Sequence, residues 1–161
     1  MIASPPLWTM SPTFTLEIAD QNLLSEMAPL LREHWLEIAH SHDIPLEPDY
    51  ATYLELQSQG KLKVFVARSA SCELIGYAVY YVTHNFHYSS SLQAQQDVLF
   101  VRKECRKGSV GTRLIRFADE ALRKMGVQVV LQHVKVAHNF GPLLERMGYE
   151  AVDIIYRKRL D

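Results

Sequence analysis

The segment "AQQDVLFVRKECRKGSVGTRLIRFADEALRKMG", Ala94–Gly126, constrains the fold of this chain most. An apolar extended run ends at Val101, and basic residues with Gly108 and Gly111 follow. Leu114, Ile115, Ala118, Leu122 and Met125 then recur at helical spacing, with Arg113, Arg116, Glu120 and Lys124 opposite and Gly126 as the stop. A strand that feeds an amphipathic helix needs neighbouring strands and a layer to bury against. The first turn of such a helix carries unpaired N–H groups and partial positive charge. Glycines let the backbone approach a ligand closely, so the turn suits an anion, a phosphate above all, with Arg106, Lys107 and Arg113 beside it. The patterns GxxxxGKS/T and GxGxxG are absent. A basic turn that merely caps a helix fits the same residues.

The rest of the chain supplies the other layers. "TFTLEIA" alternates as a first strand, and from the N-cap candidate Asp20 the residues Leu23, Leu24, Met27, Leu30, Leu31, Trp35 and Ile38 mark a helix. A shorter helix is expected after Pro48, with Tyr50, Tyr53, Leu54 and Leu56 before Gly60. "LKVFVAR" and "ELIGYAVYYVTH" read as a hairpin around "SASCE", and "NFHYSSS" as a polar loop. "VQVVLQHVKV" reads as a buried strand, "HNFGPLLERMG" as a short helix with Asn139 or Gly141 near its cap, and "YEAVDIIYRKRL" as a closing extended segment. Strands and helices interleave, with hairpins among the strands. The expected class is therefore α/β, a single mixed, mostly antiparallel sheet flanked by helices over residues 13–161.

Residues 1–12, with Pro5, Pro6 and Pro12, read as a loose leader without the basic and apolar regions of a signal peptide. No apolar run approaches the roughly 20 residues a membrane helix needs. Cys72 and Cys105 lack metal or redox spacing, which suits a reducing, cytoplasmic setting without disulfides. Net charge is near zero but polarised: through Gly60 there are nine acidic residues, and Arg32 is the sole Lys or Arg. That asymmetry suits a cationic ligand near the acidic third and an anionic one near the basic loop, although solvated helix faces would look the same.

The loop "VRKECRKGSVGTRL" resembles the acetyl-CoA loop of the GNAT N-acetyltransferases, Gln/Arg-x-x-Gly-x-Gly/Ala after a strand ending in Val. Arg106 takes the first position, Ser109 the first glycine position and Gly111 the last. The likeness runs from about Thr13 to Leu160 and includes the helical pair after the first strand, the hairpin and "ERMGYE…YRKRL", which is similar to the family's Glu-Lys-x-Gly-Phe ending. It implies a GNAT-like fold and an acetyl-CoA-dependent transfer of acetyl directly to an amine. The backbone of Lys107, Gly108, Ser109, Val110, Gly111 and Thr112 would cradle the pyrophosphate, with Arg106 at the loop. Leu99, Phe100 and Val101 would pair with the pantetheine arm, Asn139 would reach the same arm, and a strand N–H near Leu99 or Val101 would polarise the thioester carbonyl.

Two departures bear on chemistry. The family's acid tyrosine position holds Leu144, which has no proton to give, and its base glutamate position holds Gln95, which cannot accept one. Asp97 lies on the same side of that strand and is the candidate base, with a structural aspartate at a strand bulge as the other reading. His133, in the expected buried strand, and His138 are candidate proton relays, each also readable as structural. His84 and His87 lack companions at ligand spacing, so no metal site is expected. Basic neighbours are expected to lower the Cys105 thiol pKa, with no relay base to make it a nucleophile. The acceptor is then a small-molecule amine or a protein lysine, cationic by the charge asymmetry, with homodimerisation open and neither nucleic acid nor membrane as partner. A non-catalytic CoA-binding or partner-binding module of the same fold is the alternative.

Overall fold

The period-two stretches assemble as one sheet in the computed structural model, which describes residues 11–161; most of the expected leader, residues 1–12, lies outside the described residues. The strands are β1 (Thr13–Glu17), β2 (Leu62–Arg68), β3 (Leu74–His84), β4 (Leu92–Val101) and β5 (Val129–Leu131), side by side in that order. The first four are mutually antiparallel, and β5 joins β4 in parallel. This is the expected mixed, mostly antiparallel sheet.

Helices cover both faces. Asp20 caps α1 (Gln21–Ile38) by accepting the Leu23 N–H at 2.8 Å, and Asp49 caps α2 (Tyr50–Ser58) by accepting the Thr52 N–H at 3.0 Å. Alternation along β2 sends Leu62, Val64 and Val66 toward the α1 and α2 side with Leu23, Met27 and Leu30. Phe65 and Ala67 face the other side, with Leu114, Ala118 and Leu122 of α3 (Val110–Lys124). The Met125 end of that helix stripe is 38% exposed. The short α4 (Gly141–Arg146) has Pro142 in its first turn.

Gly76 on β3 lies opposite Val101, and a Cβ there would come 2.8 Å from the Phe100 carbonyl oxygen. Only glycine permits this close pairing where β4 runs into the loop before α3.

Five of the nine acidic residues before Gly60 are paired with arginines of the same chain. Arg68 pairs with Glu17 and Glu26, Arg102 with Glu33, Arg106 with Glu37, and Arg159 with Asp43. Much of the charge polarity thus stitches the later basic residues to β1, α1 and the loop after α1.

Two segments differ from the sequence reading. The strand expected over "VQVVLQHVKV" narrows to Val129–Leu131, because the chain beyond Leu131 diverges from β4; Val129 is 43% exposed. The closing "YEAVDIIYRKRL" joins no strand, and residues 150–161 are exposed.

Candidate active site

A bulge and a divergence in the sheet create the site. Along β3 and β4, Val79 pairs with Val98 and Tyr80 with Gln96, so Asp97 is an extra residue in β4. Such a bulge re-aims side chains and bends its strand. The parallel pairing of β4 with β5 ends at Gln95 and Leu131. Beyond it the buried Gln96 side chain accepts the His133 N–H at 2.9 Å, bridging strands that have moved apart. Past this point β4 has no strand beside it on the β5 side among the described residues.

The opening is a groove of about 580 Å³. One wall is β4 from Gln96 to Val101, and one end is the start of α3 at Gly108, Gly111 and Thr112. The far wall runs from His133 through Lys135 and His138 to Phe140, and the end of α1 contributes His34, Glu37 and Ile38. Of the residues singled out in the sequence, Asp97, Leu99, Phe100, Val101, Arg106, Gly108, Gly111 and Thr112 line this one groove. Lys107 and Ser109 are exposed in the same turn, and Val110 is buried beneath it. Asn139 lies between two lining residues, and its Oδ1 accepts the Gly141 N–H at 2.8 Å at the start of α4.

The anion end has the features of a phosphate cradle. Ser109 is the N-cap of α3 but makes no side-chain cap, and its carbonyl accepts the Arg113 N–H at 2.8 Å. The first-turn N–H groups precede the helical ladder. Neither Gly108 nor Gly111 has a left-handed backbone. A Cβ on Gly108 would meet nothing within 4 Å, and one on Gly111 only Val101 Cγ2 at 3.9 Å. The chain's own packing does not require these glycines, and the room they leave is in the groove, which fits a bulky anion against the backbone. Arg106 stands beside it, held by Glu37 at 2.6 and 2.7 Å and by donation to the Val101 carbonyl at 2.7 Å. The same guanidinium holds the Glu37 carboxyl below the usual carboxylate range.

Further titratable groups stand around and behind the groove walls. Tyr53 on α2 donates its hydroxyl to Asp97 Oδ2. Burial, and then this bond, push the Tyr53 hydroxyl above its ordinary range, so it acts as a donor and not as an acid. His34 on α1 stacks on Phe100 with ring centroids 4.9 Å apart, and its Nδ1 lies 3.0 Å from the Tyr77 hydroxyl. Burial pushes its pKa down to about 4, which keeps the imidazole neutral near pH 7. Lys135 donates to the Ile38 carbonyl at 3.0 Å, and burial lowers its ammonium below the usual lysine range.

Leu144 is buried in α4 and offers no polar atom. Gln95 lies 3.4 Å from His133 Nε2. His133 is exposed, not buried as expected, because the segment after β5 has left the sheet; with His138 it lines the groove. Cys105 corrects another expectation. It is 1% exposed, and desolvation pushes its thiol pKa up despite the basic neighbours. Among the described residues no group of three or more His, Cys, Asp or Glu is arranged to hold a metal ion.

Sequence reasoning passed over His34, Glu37, Tyr53 and Lys135. His34 had a signal, since it continues the inward series Leu23, Met27, Leu30, where a buried histidine must find a partner. Tyr53 read only as part of an apolar face, and its pairing with Asp97 joins elements distant in sequence.

The groove beside the splayed β4 thus ends at the glycine-bearing first turn of α3. The model of the acetyltransferase (GNAT) domain matches residues 60–151, more than half of the chain. The chain belongs to the GNAT acetyltransferase family. As a family member it is an acetyl-CoA-dependent N-acetyltransferase, and the groove residues suit that co-substrate. A putative acetyl transferase from Pyrococcus furiosus is 24% identical, with 93% of this chain and 100% of that one covered and a TM-score of 0.72. The aminoglycoside acetyltransferase meta-AAC0020 from an uncultured soil metagenomic sample is 17% identical, covering 93% and 97%, with a TM-score of 0.72. A ribosomal-protein-alanine N-acetyltransferase from Brucella melitensis biovar Abortus 2308 is 17% identical, covering 94% and 100%, with a TM-score of 0.70. At these identities the likeness is one of fold. No curated protein matches the sequence. Among the described residues no helix is long and apolar enough to cross a membrane.

Proposed function

We propose that this GNAT enzyme acetylates a primary amine that reaches the groove as an ammonium ion, with Asp97 as its base. The observation that carries the reading is the Asp97 carboxylate at the β4 bulge, on the wall of the groove that ends at the α3 cradle. Acetyl-CoA supplies the acetyl group as an activated thioester. The turn from Lys107 to Thr112 holds the pyrophosphate through backbone N–H groups, and the open stretch Leu99–Val101 and Asn139 hold the pantetheine arm.

An ammonium nitrogen is no nucleophile until it loses a proton, and in this reading Asp97 takes it. Of the two protons the nitrogen gives up as it takes the acetyl group, one goes to Asp97 and the other leaves with the thiol. No acid is needed from Leu144 on this path. Because Glu17, Glu26, Glu33, Glu37 and Asp43 already have internal partners, the preference for a cation rests on Asp97 and not on the whole acidic third. Relatives in fold carry names that specify an aminoglycoside and a ribosomal-protein alanine, and both acceptor types present amines. The free thiols of Cys72 and Cys105 support a reducing compartment such as the cytoplasm.

The test is CoA release with acetyl-CoA across polyamines, aminoglycosides, lysine peptides and uncharged hydroxyl acceptors. Turnover confined to amines, and lost by about 100-fold or more in Asp97→Asn with acetyl-CoA affinity kept, is the expected result. Asp97→Asn with full activity would remove Asp97 from the mechanism.

A further inference from the structure

Every nitrogen of the Arg106 guanidinium is engaged within the chain. Nε donates to the Val101 carbonyl at 2.7 Å, and Nη1 and Nη2 donate to the two Glu37 carboxylate oxygens at 2.6 and 2.7 Å. Arg106 and the α3 cradle line the same groove, so a pyrophosphate at the cradle calls on the fork that Glu37 holds. A pyrophosphate carries more negative charge than one carboxylate and also takes the first-turn N–H groups of α3. The Nε bond and the Phe100 ring, 5.2 Å from the guanidinium carbon, keep Arg106 at the loop while its fork changes partner. With 37% of the Arg106 side chain and 32% of Glu37 exposed, the pair is open to exchange.

Glu37 then needs another cation. It is the next-to-last residue of α1, whose last turn has no basic residue, so the helix dipole opposes its charge. The nearby Lys135 is committed to the Ile38 carbonyl at 3.0 Å. Glu37 and Asp97 line the same groove from different walls, the end of α1 and the β4 bulge. Two carboxylates so placed fit an acceptor with at least two positive charges.

We propose, resting on the pyrophosphate cradle and ammonium acceptor read above, that the pyrophosphate replaces Glu37 on Arg106 and the released carboxylate binds a second cationic group of the acceptor. Glu37 is then a specificity residue, exposed to the acceptor by CoA, and Asp97 remains the base.

The experiment is calorimetric titration of the full chain with spermidine, a polycation, and with butylamine, which has a single charge. Each titration is run without CoA and with saturating CoA, which has no acetyl group to transfer. Wild type is expected to bind spermidine about tenfold tighter with CoA. Glu37→Gln is expected to lose most of that gain and to bind CoA itself about threefold tighter. The charge of CoA acts equally on both chains, so their difference reads Glu37. Arg106→Ala leaves Glu37 released throughout, so without CoA it is expected to bind spermidine as tightly as wild type does with CoA. Butylamine is expected to show none of these changes. A wild type without the gain, a Glu37→Gln chain that keeps it, or an Arg106→Ala chain that binds spermidine no better than wild type without CoA overturns the proposal. Turnover does not enter, so a failure here is distinct from a failure of Asp97 as the base, which the Asp97→Asn assay reads.

Discussion

The Tyr53 hydroxyl on α2 is hydrogen-bonded to the Asp97 carboxylate on β4, so the helix pair that covers one face of the sheet reaches the bulge that opens the groove. The bond fixes the rotamer of a carboxylate that the bulge has turned toward α2. A hydrogen bond to a charged group is worth about 1.5–3 kcal/mol, of which about 1.4 kcal/mol is a factor of ten. Tyr53→Phe is therefore expected to lower kcat roughly tenfold while leaving acetyl-CoA affinity unchanged, since the tyrosine sits away from the α3 cradle. Steady-state kinetics beside equilibrium titration of acetyl-CoA separates the two. A variant with wild-type kcat would show that Asp97 needs no such support.

Arg106 links three parts of the site: the Val101 carbonyl, the Glu37 carboxylate and the face of Phe100, whose ring centroid is 5.2 Å from the guanidinium carbon. Lysine keeps the charge but has no fork to match a carboxylate or phosphate bidentately. Arg106→Ala is expected to weaken acetyl-CoA binding by about tenfold, and Arg106→Lys by less. Calorimetric titration of the three proteins gives the order. Equal affinities across the series would mean that Glu37 keeps this arginine out of anion binding.

The sheet, its faces and the loop before α3 were legible because each has a local signal: alternation in β2 and β3, the helical stripe of α3, the glycines before it. Asp97 was legible for a similar reason, as the one carboxylate in its strand. The bulge that places it was not, because an extra residue in one strand shows only against its partner, here Val79 and Tyr80 of β3. Tyr53 and Glu37 act across elements far apart in the chain, and no spacing rule reaches that distance. The early end of β5 was missed because "VQVVLQHVKV" is apolar whether or not β4 stays beside it. His133 followed the same error to the wrong side of the burial line.

His34 gives the fold a pH limit. Its pKa is about 4 in the folded chain, against 6.5 for a free imidazole, because burial disfavours the cation. Above pH 6.5 both folded and unfolded chains hold it neutral, and it contributes no pH dependence. As pH falls from 6.5 to 4 the unfolded chain binds a proton that the folded chain refuses, so stability declines. The loss from this group is on the order of 3 kcal/mol by pH 4. Melting temperature across that window is expected to fall less steeply in His34→Gln, which keeps a polar partner for Tyr77. Identical slopes would assign the acid sensitivity to other groups.

Gly111 separates binding from folding most sharply. It is the second residue of α3, its backbone is not left-handed, and an added Cβ meets only Val101 Cγ2 at 3.9 Å, an ordinary contact. Alanine in a helix is favoured over glycine by up to about 1 kcal/mol, so Gly111→Ala should melt at or above the wild-type temperature. The same methyl group projects where the backbone would meet the pyrophosphate. Overpacking a close contact costs about 1–3 kcal/mol, so acetyl-CoA binding is expected to weaken by roughly tenfold or more. A scanning melt and a titration on one protein sample read both quantities. Retained affinity in a protein of unchanged stability would place the phosphate contact elsewhere in the turn, at Gly108, where an alanine also meets nothing of the chain within 4 Å and the same pair of measurements applies.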